Sequence, residues 1–310
     1  MSSRREFLQK SLFVAGVLPL TESYANSLVK KDEMVKITVL HTNDVHSHIE
    51  PFSASHKRYP GQGGVQNRYN LISKIRKESP NTLLFDCGDI FQGTPYFNKF
   101  GGELELKLMS KLGYDAATMG NHDFDNGLNG FINVNKHAKF PFICSNYDFS
   151  QTILKDKTIP FKVFHKSGLK VGVFGLGIKL EGLVDKKLYG NTVYSDPVIS
   201  AQKQADDLRK NHNCDLVICL SHLGYKYDEK KVSDSILATQ TSGIDLILGG
   251  HTHTFMKTAE KIKNKNGNIV LVNQVGWAGI NLGKIDFYFD KKSKKQVKLH
   301  SKSTSYLEIK

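Results

Sequence analysis

From Val35 onward, short apolar runs alternate with stretches whose apolar positions recur every three or four residues. The runs predict strands at 37–41, 82–86, 116–119, 140–145, 215–221, 244–248, 268–273 and 284–290. The longer period predicts helices at 64–78, 103–112, 127–138 and 197–211, the last with Pro197 in its first turn. Segments 161–165 and 169–176 flank Lys166-Ser167-Gly168, which reads as a hairpin turn. The lysine-rich stretch 291–302 reads as an exposed hairpin or edge strand. No internal repeat and no Pro/Gly/Ser linker divides the chain. The mixed order predicts one α/β domain, over 36–310, with two sheets rather than a purely doubly wound fold.

Residues 1–25 break this pattern. Arg4 and Arg5 precede Phe7 and Leu8, and an apolar run from Ser11 to Leu20 is too short to span a bilayer. Ser23-Tyr24-Ala25 offers a small-x-small cleavage site. The segment resembles a twin-arginine translocase signal, with Gln9 where Lys is usual. The expectation is export of a folded protein to the periplasm or beyond, with 26–35 as a short lead-in. No stretch of the sequence is long and apolar enough for a membrane-spanning helix.

Composition adds two points. With 39% hydrophobic and 24% charged residues, disordered and collagen-like classes are excluded. The net charge of +13 suggests an anionic partner without choosing among a phosphorylated substrate, nucleic acid and an envelope surface. The lysine runs lack the interleaved aromatics of a nucleic-acid platform, so they read as solvated surface and no nucleic-acid partner is expected. Cys87, Cys144, Cys214 and Cys219 form no CxxC pair and read as buried thiols.

The chemistry lies at the strand ends, where α/β folds place their sites. Strand 37–41 runs into Asn43-Asp44-Val45-His46, strand 82–86 into Gly88-Asp89, and strand 116–119 into Gly120-Asn121-His122-Asp123-Phe124-Asp125. Strand 215–221 leads to His222, and strand 244–248 to Gly249-Gly250-His251-Thr252-His253. Each piece alone is weak, and their recurrence after apolar strands is what decides. In extended backbone Asp44 and His46 would face one way, as would His251 and His253. Mixed Asp, His and Asn donors suit zinc, manganese or iron(II) rather than calcium. Seven candidates are too many for one tetrahedral ion, and a shared carboxylate would let them serve two.

The ordered series D-x-H, GD, GNH, SHLG and GHTH resembles the calcineurin-like metallophosphoesterases. More narrowly, HTNDVH, GNHDFDNG and GGHTHT resemble the bacterial 5′-nucleotidase branch. The resemblance implies a four-layer α/β/β/α sandwich of two mixed sheets flanked by helices. It implies one ion held by Asp44, His46 and His253, a second by Asn121, His222 and His251, and Asp89 bridging them. His122 would face the phosphoryl group together with Asn121, with Asp125 holding its imidazole charged. Asp86 and Asp123 would be supporting groups, and His41 a structural strand-end histidine. The implied activity is hydrolysis of a phosphoric ester by a metal-activated water attacking in line.

Members of that branch carry a C-terminal domain that recognises the nucleoside; this sequence reaches Lys310 about where that domain would start, so the domain is expected to be absent. The expectation is therefore a catalytic domain whose specificity comes from a separate chain or from its own loops. Loops 51–62, 91–102 and 178–196 carry Phe52, Tyr59, Phe91, Tyr96, Phe97 and Tyr189. The substrate expected is a nucleotide or another phosphorylated small molecule. A phosphodiesterase of cyclic nucleotides or nucleotide sugars, hydrolysis of a sulfur-linked group, and an idle binding subunit remain as alternatives.

Overall fold

The computed structural model describes residues 33–305, so the export signal read at 1–25 lies outside the described residues. Strands β1 to β3 are Met34–Thr42, Thr82–Asp86 and Ala116–Ala117, and β4 is Tyr147–Asp148. Strands β5 to β8 are Phe161–Lys166, Leu169–Leu176, Val193–Tyr194 and Leu216–Ser221. Strands β9 to β13 are Leu246–Leu248, Glu260–Lys263, Ile269–Asn273, Asn281–Asp290 and Gln296–Ser305. Helices α1 to α4 are Val65–Glu78, Pro95–Phe100, Glu103–Leu112 and Gly127–Asn135. Helices α5 to α7 are Lys186–Tyr189, Pro197–Lys210 and Asp234–Gln240.

One sheet runs β13-β12-β1-β2-β3 and the other β10-β11-β9-β8-β6-β5. In the first, parallel β1, β2 and β3 reach one edge and antiparallel β12 and β13 border the other side; in the second, a parallel centre is bordered by antiparallel β10 and β5. The sandwich follows from strand periodicity, because alternate side chains point to opposite faces. Ile37 and Val39 of β1, Leu83 and Phe85 of β2, Val171 and Val173 of β6, and Ile218 and Leu220 of β8 share one core between the sheets. Their neighbours Leu40 and Leu84 turn outward onto α1, α3 and α4. Phe174, Val217 and Cys219 turn the other way, onto α6 and α7. The layers are therefore helix, sheet, sheet, helix. The hairpin β5–β6 and the edge strand β13 stand where the pattern put them.

Three expectations change. Segment 140–145 forms only isolated bridges, Phe142 to Ala117 and Ile143 to Ile159, because it enters the layer beside a strand of two residues. For the same reason 116–119 shortens to β3. Strand β1 starts at Met34, inside the expected lead-in. All four cysteines are buried and free.

His41 ties the two sheets together. It sits on β1 fully buried, with its Nε2 2.9 Å from Asn273 Nδ2 on β11. It lies where a Cβ on Gly283 of β12 would stand 2.0 Å from its Nε2, so only glycine fits there. Burial pushes the imidazole down from 6.5 to about 3. The unfolded chain binds a proton here below about pH 6.5 and the folded chain does not, so this contribution is complete above that pH and is lost toward about pH 3. Unfolding in urea should therefore show His41→Gln losing about 2 kcal/mol less stability than the parent between pH 7 and pH 5. Equal pH slopes would show that His41 is not buried neutral.

Candidate metal centre

The expected site residues meet at one edge of the sandwich, at the carboxyl ends of β1, β2, β3, β8 and β9. Asp44, His46 and His253 form one group of donors, and Asp89, His222 and His251 a second; within each group the donor atoms lie within 4.8 Å of one another. Asp89 joins the two, with its Oδ2 3.1 Å from His222 Nε2 and 3.8 Å from His46 Nε2. Asn121 places its Oδ1 2.9 Å from His251 Nδ1. Asp44 Oδ1 lies 3.3 Å from His253 Nε2 and 3.9 Å from His222 Nε2.

The backbone reaches this arrangement differently from the extended spacing read in the sequence. Asp44 and His46 have φ of 50° and 49°, and His251 and His253 have 72° and 52°. Asp89, at 54°, is left-handed as well. Non-glycine residues rarely adopt this region, and a cluster of them marks a place where surrounding structure imposes the geometry. The imposing groups are visible. Asp44 accepts the His251 N–H with both carboxylate oxygens at 3.0 Å and a 2.6 Å bond from Asn43 Nδ2. The Asp44 and His46 N–H groups donate to the carbonyls of Gly88 and Asp89. Gly88 approaches so closely that a Cβ would stand 2.4 Å from Gly120 N.

Asp123 is a second organiser. Its carboxylate accepts from the backbone N–H of Asp89, Ile90 and Gly120 at 2.8–3.0 Å and of Phe91 at 3.3 Å. It thus fastens the β2 loop to the β3 loop. Asp123→Ala would strand these donors in the interior, and a loss of more than about 3 kcal/mol in urea unfolding is expected. A loss below about 1 kcal/mol would mean that other acceptors replace it. Asp86 supports the site from deeper down, accepting from Thr42 Oγ1 and the Gly88 N–H.

The donor set fits a divalent cation. His222 donates from Nδ1 to the Cys87 carbonyl at 2.7 Å, which turns the Nε2 lone pair toward Asp89. That Nε2 is buried and makes no hydrogen bond among the described residues. His46 Nδ1 faces the Phe91 carbonyl in the same way, and its Nε2 meets His253 Nε2 at 3.1 Å. Imidazole lone pairs converge on two buried carboxylates whose hydrogen-bond donors are neutral, and this calls for positive charge. The pKa pattern says the same: burial drives His222 down, but Asp89 and Asp44 outweigh it and carry it up to about 10. Asp89 is held well below the usual carboxylate range, burial being overcome by His222 and His46.

His122 stands beside both groups and in neither. Its N–H donates to Asp89 Oδ1 at 2.8 Å, and its ring packs edge-on to His46 at 5.3 Å. Nδ1 bonds Asp125 Oδ2 at 2.8 Å. That bond raises the imidazole pKa against the opposing effect of burial.

Of the loop aromatics, Phe91, Phe97 and Tyr189 are buried in the core and present nothing to a ligand. Tyr96 bonds Glu50. Phe52 and Tyr59 do border the site, joined by Phe255 and Trp277, which sequence reasoning missed. Position was the available signal: Phe255 follows His253 by two residues.

A donor set of Asp, His and Asn, gathered where two packed sheets open at the ends of their parallel strands, defines a metallophosphoesterase. Residues 37–255 match the calcineurin-like phosphoesterase family, and the chain belongs to it. Members of this family use divalent metals. The chain is 31% identical over 283 residues to a snake venom 5′-nucleotidase of Gloydius brevicauda, covering 83% of this chain and 46% of that protein. A 5′-nucleotidase precursor from Thermus thermophilus superposes with a TM-score of 0.79 at 30% identity, over 87% of this chain and 54% of that one. The calcineurin-like phosphoesterase YfkN from Bacillus subtilis gives 0.73 at 26%, over 88% and 92%. The chain spans about half the length of the curated relatives it matches. Among the described residues no helix is long and apolar enough to cross a membrane.

Proposed function

We propose that the chain hydrolyses phosphoric esters as a 5′-nucleotidase-like metallophosphatase. Asp44, His46 and His253 would hold one ion and Asn121, His222 and His251 another, with Asp89 between them. The observation that carries this reading is the convergence of two donor groups on Asp89 Oδ2, with a fixed imidazole at their edge. When bound, such a pair of ions supplies Lewis-acid charge at the phosphoryl oxygens and makes water acidic enough to attack phosphorus.

The protein's own groups complete the chemistry. As the P–O bond to the leaving alcohol breaks, its oxygen must gain a proton. His122, with Nδ1 donating to Asp125, presents Nε2 as the proton source and as a positive charge for the equatorial oxygens. Asn121 lies next to it in sequence and would help seat the phosphoryl group. Residues 36–310 would act as one catalytic unit, exported by the twin-arginine signal of residues 1–25. Nucleoside recognition would come from the loops at the site rim or from a separate chain. The matches to nucleotidases over most of this chain support the substrate class.

Purified protein should be assayed on AMP, UDP-glucose, 2′,3′-cyclic AMP and an aryl phosphate, with and without manganese, while its metals are counted. About two ions per chain with preferential AMP turnover is the expected result. Preference for UDP-glucose or the cyclic ester would move the activity to phosphodiesters. No ions and no turnover after manganese loading would sink the enzymatic reading.

A further inference from the structure

Beside the metal centre lies a continuous aromatic rim. Trp277 stacks on His253 with ring centres 5.8 Å apart and planes 7° from parallel. Tyr59 meets Trp277 edge-on at 6.4 Å and stacks on Phe255 at 6.0 Å and 25°. Phe52 and His48 close the inner side of Trp277, at 5.8 and 5.3 Å. The outer rings stay open: Phe255 is 40% exposed, and so is the His253 side chain.

Single exposed aromatics mean little. This set differs in being rigidly attached to the site. Asn43, next to Asp44, donates to the Gly276 carbonyl and accepts from the Val275 N–H. The Ala278 N–H donates to the Asp44 carbonyl. Phe255 bridges Val275 and its ring packs against Gly276, where a Cβ would stand 2.3 Å from it. A ring platform fixed to the metal centre costs little entropy to use and accepts any planar π-face. The nearby Arg58 guanidinium, 5.3 Å from the Tyr59 ring, adds positive charge at the outer end.

We infer that Tyr59, Phe255 and Trp277 form a stacking subsite for the planar base of a nucleoside leaving group, whose ribose oxygen departs from a phosphoric ester held at the metal centre. The inference rests on the phosphoester reading and adds that the catalytic domain itself reads the leaving group.

Trp277 is the only tryptophan in the sequence, so its fluorescence reports the subsite directly. Adenosine should quench it saturably, and ribose should not. Phe255→Leu and Tyr59→Leu, which keep apolar volume but lose the ring, should each weaken adenosine binding about fivefold or more. The ratio of kcat/KM for AMP over ribose 5-phosphate should fall by a similar factor. Metal content and thermal unfolding show that each variant is folded. Ile199→Ala, at a surface position 72% exposed, should change neither readout. If adenosine and ribose act alike, or both leucine variants keep the parental affinity and ratio, the subsite is overturned. If adenosine binds as described but neither ester is hydrolysed, the phosphoester reading falls and the stacking subsite stands.

Discussion

His222→Ala is expected to lower turnover by at least about a thousandfold and to leave the protein short of one metal ion per chain. His222 is fully buried, and its two nitrogens do different work. Nδ1 is tied to the Cys87 carbonyl, which fixes ring and tautomer, while Nε2 points at Asp89. Alanine removes one donor from the second group and also takes away the imidazole 3.1 Å from the buried Asp89 Oδ2. Stranding a buried charge costs on the order of 3–5 kcal/mol, so the variant should also melt earlier. His222→Gln, which restores a polar side chain without an imidazole, separates the two effects: it should recover part of the stability and none of the turnover. Elemental analysis beside the activity assay gives the answer. Both ions retained with turnover within tenfold of the parent would show that the second group is not a metal site.

Much of this centre was legible in the sequence, because ligand chemistry demands particular side chains and α/β folds put them after strands. The two sheets were legible in the mixed order of strand and helix patterns, while the four-layer order was implied by the family resemblance; the structure covers both faces of 37–41, 82–86 and 169–176 with apolar layers. The backbone conformation was not legible. Extended spacing of Asp44 and His46 explained their convergence in principle, yet both are left-handed, held by the Gly88 and Asp89 carbonyls from the loop after β2. Such bonds join residues distant in sequence, and no local pattern announces them. The same holds for 140–145, whose apolar run reads as a strand but has too short a neighbour to pair with. It holds again for the rim, where Tyr59, Phe255 and Trp277 come from separate loops. Phe91 and Phe97 show the converse, being aromatic loop residues that the fold uses as core.

His122→Ala should separate chemistry from metal binding. Because His122 belongs to neither donor group, the variant should keep about two ions per chain while losing on the order of 10²–10⁴ in turnover of AMP. That range corresponds to about 3–5 kcal/mol of transition-state stabilisation. The loss should also depend on the leaving group. The ribose hydroxyl of AMP leaves poorly as an alkoxide and needs a proton, whereas 4-nitrophenolate is stable as an anion. If His122 supplies that proton, the variant should be impaired much less on 4-nitrophenyl phosphate than on AMP. Equal losses on both would place its role on the equatorial phosphoryl oxygens, whose charge develops whatever group departs. Loss of metal would contradict the geometry in which Asp125 holds the ring from one side and His46 packs edge-on against it. Asp125→Asn is the companion variant: it keeps a side-chain oxygen for Nδ1–H but removes the charge, so it should fall between the parent and His122→Ala on AMP, again with metal retained.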